Sequence, residues 1–254
     1  MDDLCTDLAA EHDDLDAIVS DVDDWDVATP AAGWTVRDAI SHLWFFDQRA
    51  VLALTDVDGF AADAAALAVR GVEASVEPGR SMTRDALLAA WRRDRAALVD
   101  RARTVDPSTR VPWYGPAMAA RSFVTARLME TWAHGQDVAD AVGRHRRPTA
   151  RLRHVAHIGV RARPYSYLVN DRPLPDADVY VGLDAPDGDR WEWGSPELAD
   201  RVTGDALDFC LVVTQRRHVD DMRLVIVGAA ATEWMSFAQA FAGPPGEGRE
   251  PLPR

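Results

Sequence analysis

The sequence predicts an α+β protein, with a four-helix bundle over residues 1–145 followed by a small α/β domain over residues 150–243. Three observations predict it. Up to residue 145 the apolar residues recur at helical spacing between short turn-forming breaks. After RHRRPTA the pattern changes, and DADVYVGLDAPDGDRWEWGSP alternates like two strands around an Asp187-Gly188 turn. The 254 residues, 47% of them hydrophobic, supply a core for one large domain or two ordinary ones.

Leu4, Leu8, Leu15, Ile18, Val19 and Val22 form the stripe of a first helix that ends near Val22, before the break PAAG. The second helix starts near Val36. Thr35 is its N-cap, Asp38 completes a capping box, and Trp34 can staple onto Ala39 across the cap. Residues 56–80 have no steady period and leave room for one short helix. Ser81 or Thr83 caps a third long helix through DALLAAWRRDRAALVDRAR, and DPSTRVPWYGP reads as a loop. The fourth helix runs from about Met118 to Val142 and stops at Gly143. Four helices of this kind make an up-and-down bundle.

In the second half, residues 150–169 read as one helix, followed by the two alternating strands. GDALDFCLVVTQRR reads as helix, DMRLVIVG as a buried strand and ATEWMSFAQAFAG as a closing helix. The Pro/Gly-rich residues 244–254 are expected to be disordered.

A net charge of −13 argues against nucleic acid or an anionic membrane as partner, because both need a basic footprint. No apolar run reaches the ~18 residues that span a bilayer, and the acidic start lacks the basic and apolar parts of a signal peptide. The expectation is a cytoplasmic protein. The charge is uneven: residues 1–26 hold eleven carboxylates and no Arg, whereas residues 144–164 hold seven Arg and no carboxylate. Two solvated faces that attract each other explain this. The other reading is an Arg cluster that holds an anionic ligand at the domain junction. Every basic residue is Arg, which points to coding bias. Cys5 and Cys210 lie far apart without a C-x-x-C pattern, so neither a disulfide framework nor a cysteine zinc site is expected. Cys210 reads as a small buried apolar residue.

The segment RLMETWAHGQDVADAVG carries the chemistry. Residues four apart on a helix share a face, so Glu130 and His134 point the same way. With His42 of the second helix they make two imidazoles and a carboxylate, an open three-ligand set for a catalytic metal. Taken alone the pattern is weak, since a Glu-His pair can lie exposed and His42 can be a satisfied core histidine beside Leu43, Trp44, Phe45 and Phe46. Asp137, one turn beyond His134, can orient an imidazole N–H or lie on the helix surface. Arg49 can meet a substrate carboxylate or an acidic residue of the protein. Trp44, Phe45, Trp132 and Trp34 are candidates to keep the site dry and hold a substrate's carbon skeleton, or simply to fill the core. His154 and His157, spaced i, i+3, allow ligation but fit a surface or interdomain role better. Arg216 and Arg217 can hold a ligand near a cleft but fit an ordinary exposed pair better. DVDDWD is no calcium loop, because Ala32 stands where the closing Glu is needed.

GWTVRDAISHL followed some 90 residues later by METWAHGQDVADAVG closely resembles the mycothiol-dependent maleylpyruvate isomerase family, whose metal-binding domain is a DinB-like four-helix bundle. The resemblance covers residues 1 to about 145. The second half, with GDALDFCLVVTQRRHVDD and EWMSFAQAFAGPPGEGR, is similar to that of the family's uncharacterised actinobacterial members. It implies that His42, Glu130 and His134 hold a divalent metal, with zinc the default for this donor set and ferrous iron a further occupant. It also implies mycothiol as cofactor: a thiol entering the vacant coordination position loses its proton, adds to a cis double bond, and leaves after rotation. The expected partners are thus a small thiol and a small, electrophilic, acidic substrate, and the expected activity is that of an isomerase or thiol transferase. Expected alternatives are a non-catalytic metal or small-molecule binding protein and a metal-dependent hydrolase that uses bound water. The resemblance leaves the catalytic residues unassigned.

Overall fold

The computed structural model describes residues 1–253, which divide into two compact units, Met1–Arg146 and the chain from Arg147 onward. The first contains helices α1 (Asp2–Ser20), α2 (Val36–Thr55), α3 (Val57–Arg70), α4 (Glu77–Arg80), α5 (Arg84–Arg103) and α6 (Ala120–Ala141). A two-stranded ribbon, β1 (Arg110–Val111) with β2 (Met118–Ala119), precedes α6. The bundle is built from α1, α2, α5 and α6: α1 and α2 each pack against both α5 and α6.

Local chemistry places the ends. Thr35 accepts a hydrogen bond from the Asp38 backbone N–H, while the Asp38 carboxylate receives the Thr35 N–H, the reciprocal box expected at the start of α2. Arg80 adds a guanidinium to Asp38 at 2.7 Å. Thr83, not Ser81, caps α5. Gly143 follows α6 with φ +64°, a left-handed position that costs glycine least. Leu15, Val19, Trp25, Val36, Ile40, Leu43, Leu87, Trp91 and Val138 fill one core cluster, each large side chain contributing about 1.5–3 kcal/mol by leaving water.

Several expectations need correction. Residues 56–80 hold more than one short helix: α3, a 3-10 turn at Val72–Ser75, and α4. Only Phe60 of α3 is buried, so its alanine-rich sequence gives no sharp stripe to read. The expected loop before α6 contains β1 and the residues that lead into β2.

The second unit contains α7 (Leu152–Arg161), α8 (Arg163–Val169), β3 (Val179–Asp184), β4 (Arg190–Trp193), β5 (Asp200–Asp205), α9 (Ala206–Val213), β6 (Val225–Val227) and α10 (Ala229–Met235). The single helix expected over 150–169 divides at Ala162, where Pro164 starts α8. The sheet runs β4-β3-β5-β6, with β3 and β5 parallel and the outer pairs antiparallel. Helices α9 and α10 pack against this sheet, and α7 packs on α9. Strand β5 has no expected counterpart, because DRVTGD places only Val202 in the core. Conversely, β6 is not buried: it is an edge strand with Val225 58% and Val227 45% exposed. Beyond α10 the described residues form no regular element; the Gly246 N–H donates to Gln239 Oε1 and the Leu252 N–H to Asp221.

Candidate metal centre

His42 on α2 and Glu130 and His134 on α6 come together where these two bundle helices pack. One ligand atom from each lies within 4.8 Å of the others. Donors held tetrahedrally by zinc at ~2.0–2.2 Å stand about 3.3–3.6 Å apart, so the three side chains would close by up to about 1.5 Å to share one ion. Among the described residues no other group of three such side chains has this arrangement. The His42 and His134 rings are 4.7 Å apart, and both histidines are buried. His134 Nε2 lies 3.5 Å from Glu130 Oε2.

Glu130 is held in its ionised form. Burial pushes its carboxyl up, but the hydrogen bond from His134 and the charges of His134, Arg127 and His42 outweigh that effect and hold it at about 2. The far side of each imidazole also meets a polar group. Asp137, almost fully buried, places Oδ2 3.6 Å from His134 Nδ1. Ser75 Oγ lies 2.9 Å from His42 Nδ1.

Aromatic rings close the surroundings. Trp34 stacks on His134 at 5.6 Å with an interplanar angle of 16° and lies 4.9 Å from His42. The Trp34 ring thus lies against the imidazoles from a position just ahead of the helix cap. Phe46, one turn beyond His42, lies 4.7 Å from it and leads to Tyr114, Trp113 and Phe60. Burial and the Asp63 carboxylate push Tyr114 up to about 12, so its phenol stays protonated.

Other expected site residues have different partners. Trp44 donates its indole N–H to Asp94 on α5 at 2.7 Å. The Arg49 guanidinium lies over the Phe45 ring and bonds Asp63 at 2.9 Å, so its charge is met by the protein. Trp132 is buried, with Arg146 5.9 Å from its ring. His157 accepts from the Trp193 indole at 3.2 Å. Arg216 and Arg217 donate to the carbonyls of Thr214 and Arg216. Of the basic stretch, Arg144 pairs with Asp21 and Arg146 with Glu11, which ties it to the acidic α1 region. Neither cysteine is poised as a nucleophile: both are buried, and burial pushes both thiols up.

Sequence reasoning missed a polar network under the site. Arg127, one turn before Glu130, donates to buried Asp47 of α2 at 2.9 Å. Trp91 of α5 donates to the same carboxylate at 3.3 Å, and His12 of α1 lies 3.9 Å from it. All four bundle helices meet there. The only available signal was a lone Asp or Arg on an apolar face. Ser75 left no signal at all, as it sits in a stretch without periodicity.

Residues 8–139 match the Mycothiol maleylpyruvate isomerase N-terminal domain. Along nearly its whole length the chain is similar to uncharacterised proteins from two strains of Mycobacterium tuberculosis, CDC 1551 / Oshkosh and ATCC 25618 / H37Rv. Each is 46% identical over 248 residues, which are 96% of this chain and 96% of the relative. Its fold is similar to crystal structures of the mycothiol-dependent maleylpyruvate isomerase and of a histidine-to-alanine mutant. These reach TM-scores of 0.60 and 0.59 at 17% identity, over 87% of this chain and 91% of theirs. The matched residues take in most of the bundle and the whole three-donor cluster, and the chain belongs to the mycothiol maleylpyruvate isomerase family.

Proposed function

We infer that this chain is a mycothiol-dependent, metal-dependent isomerase or thiol transferase that acts on a small, electrophilic, acidic substrate. One observation carries the reading: two imidazole nitrogens and a carboxylate oxygen from α2 and α6 converge within 4.8 Å, inside the family's matched domain. His42, Glu130 and His134 would hold the cation, and zinc suits two nitrogens and one oxygen. When bound, such a cation stabilises a thiolate over a thiol at neutral pH.

The protein's own residues prepare that chemistry. Glu130 stays ionised, so the donor set carries one negative charge and leaves a divalent cation with net positive charge. Asp137 orients His134 from behind. Trp34 and Phe46 flank the imidazoles and keep water from the outer faces of the ligands. With both cysteines buried and high in pKa, the nucleophilic sulfur has to come from the small thiol. Arg49 and Trp44 have other partners, so we assign neither to the substrate.

Metal analysis of the purified protein beside a His42→Ala variant tests the reading. Close to one equivalent of divalent metal in the parent and a large loss in the variant are expected. Equal metal content in both would contradict the assignment. Metal without any thiol binding would point to a non-catalytic binding protein or a hydrolase that uses water.

A further inference from the structure

Ser75 meets His42 at its Nδ1. Its Oγ lies 2.6 Å from the Val72 carbonyl oxygen and 2.9 Å from His42 Nδ1. A carbonyl can only accept and a hydroxyl has one proton, so that proton goes to Val72. Oγ then offers His42 a lone pair, and Nδ1 has to be the donor. An imidazole protonated at Nδ1 keeps its free lone pair on Nε2. Nε2 is then the nitrogen without a proton.

The turn that carries Ser75 is fixed by α2 itself. Ser41, the residue before His42, reaches the Ser75 carbonyl at 2.9 Å and the Val76 carbonyl at 3.2 Å, and it accepts the Gly79 N–H at 3.0 Å. This approach needs glycine: a Cβ on Gly79 would lie 2.4 Å from Ser41 Cβ. Ser41 and Ser75 are both fully buried, so no water competes for their hydroxyls. Adjacent residues of α2 thus do two tasks, one clamping the 3-10 turn and the other receiving the hydroxyl that the turn presents.

We propose that Ser75 is a positioning residue that presets His42 in the Nδ1–H tautomer, aims the Nε2 lone pair at the Glu130–His134 pair and thereby raises affinity for a divalent cation. The proposal rests on the metal reading above and adds a partner from outside the bundle helices. It parallels Asp137 behind His134, so each imidazole would have its own orienting group.

Two measurements on the full chain test it. Long-range proton–nitrogen correlation on the metal-free, nitrogen-15-labelled protein reads the His42 tautomer directly, and protonated Nδ1 with unprotonated Nε2 is expected. Zinc competition against a chromophoric chelator is expected to show binding about 10–100-fold weaker in Ser75→Ala, the usual cost of losing such a partner. A melting curve checks that the variant folds, and the wild-type tautomer does not depend on any variant. His42 protonated on Nε2, or wild-type zinc affinity in folded Ser75→Ala, would overturn the role of Ser75. Failure of the wild type to take up zinc would overturn the metal reading and with it the affinity role of Ser75, whereas the Nδ1–H signature read on the metal-free protein would still uphold the tautomer.

Discussion

Individual side chains at the centre are constrained from more than one direction. His134 has Trp34 on its face, Glu130 beside one nitrogen and Asp137 beside the other. Asp137→Ala should therefore lower zinc affinity by about tenfold or more without unfolding the chain, as losing the group behind a ligating histidine does elsewhere. Chelator competition measures it, and unchanged affinity would make Asp137 a packing residue only. His12 illustrates a different constraint. It is fully buried, and desolvation, helped by the charges of Arg95 and Arg127, lowers its pKa well below the ordinary value. The folded protein resists protonating this ring, whereas the unfolded chain accepts a proton near pH ~6.5. Its contribution to stability is full above that pH and falls as the pH drops below it, by up to about 1.4 kcal/mol per unit. Urea midpoints between pH 7 and 5 should thus decline less steeply in His12→Gln than in the parent.

At the scale of elements, α2 and α6 carry the site because each combines a well-marked start or stop with an inward polar face. The Thr35–Asp38 box and Gly143 could be read from the sequence because caps and C-terminal glycines are local chemistry. The Glu130–His134 pair was readable for the same reason, as spacing on one helix fixes a shared face. Ser75 and the Asp47–Arg127 pair were not, since they depend on which surfaces meet across 33 and 80 residues of chain. Strand β5 was hidden because it adds only Val202 to the core, and the bond from Trp44 to Asp94 was hidden because its partner comes from another helix, α5. Two substitutions probe these elements. Thr35→Ala should cost about 1 kcal/mol through the lost cap. Asp47→Ala should cost more, about 3–5 kcal/mol, because Arg127 would be left as a buried cation without its partner. If Asp47→Ala proves as mild as Thr35→Ala in urea denaturation, the four-helix network is not a structural tie.

The whole chain combines a bundle that holds the donor set with a separate α/β unit whose sheet β4-β3-β5-β6 has its own helices. No helix among the described residues is long and apolar enough to cross a membrane. Because the proposed donor set of His42, Glu130 and His134 comes together only when α2 and α6 pack, a cation held there would stabilise the folded state. At a free metal concentration 100 times the dissociation constant the gain is about 2.7 kcal/mol, and a chelator should lower the melting temperature correspondingly. The central claim is that His42, Glu130 and His134 together hold a cation that receives a small thiol. Calorimetric titration of the purified protein with mycothiol, with and without a chelator, tests it most directly. Saturable binding near one equivalent that disappears with the chelator, and is absent from Glu130→Gln, is the predicted result. Mycothiol binding of undiminished strength in the chelated protein would contradict it.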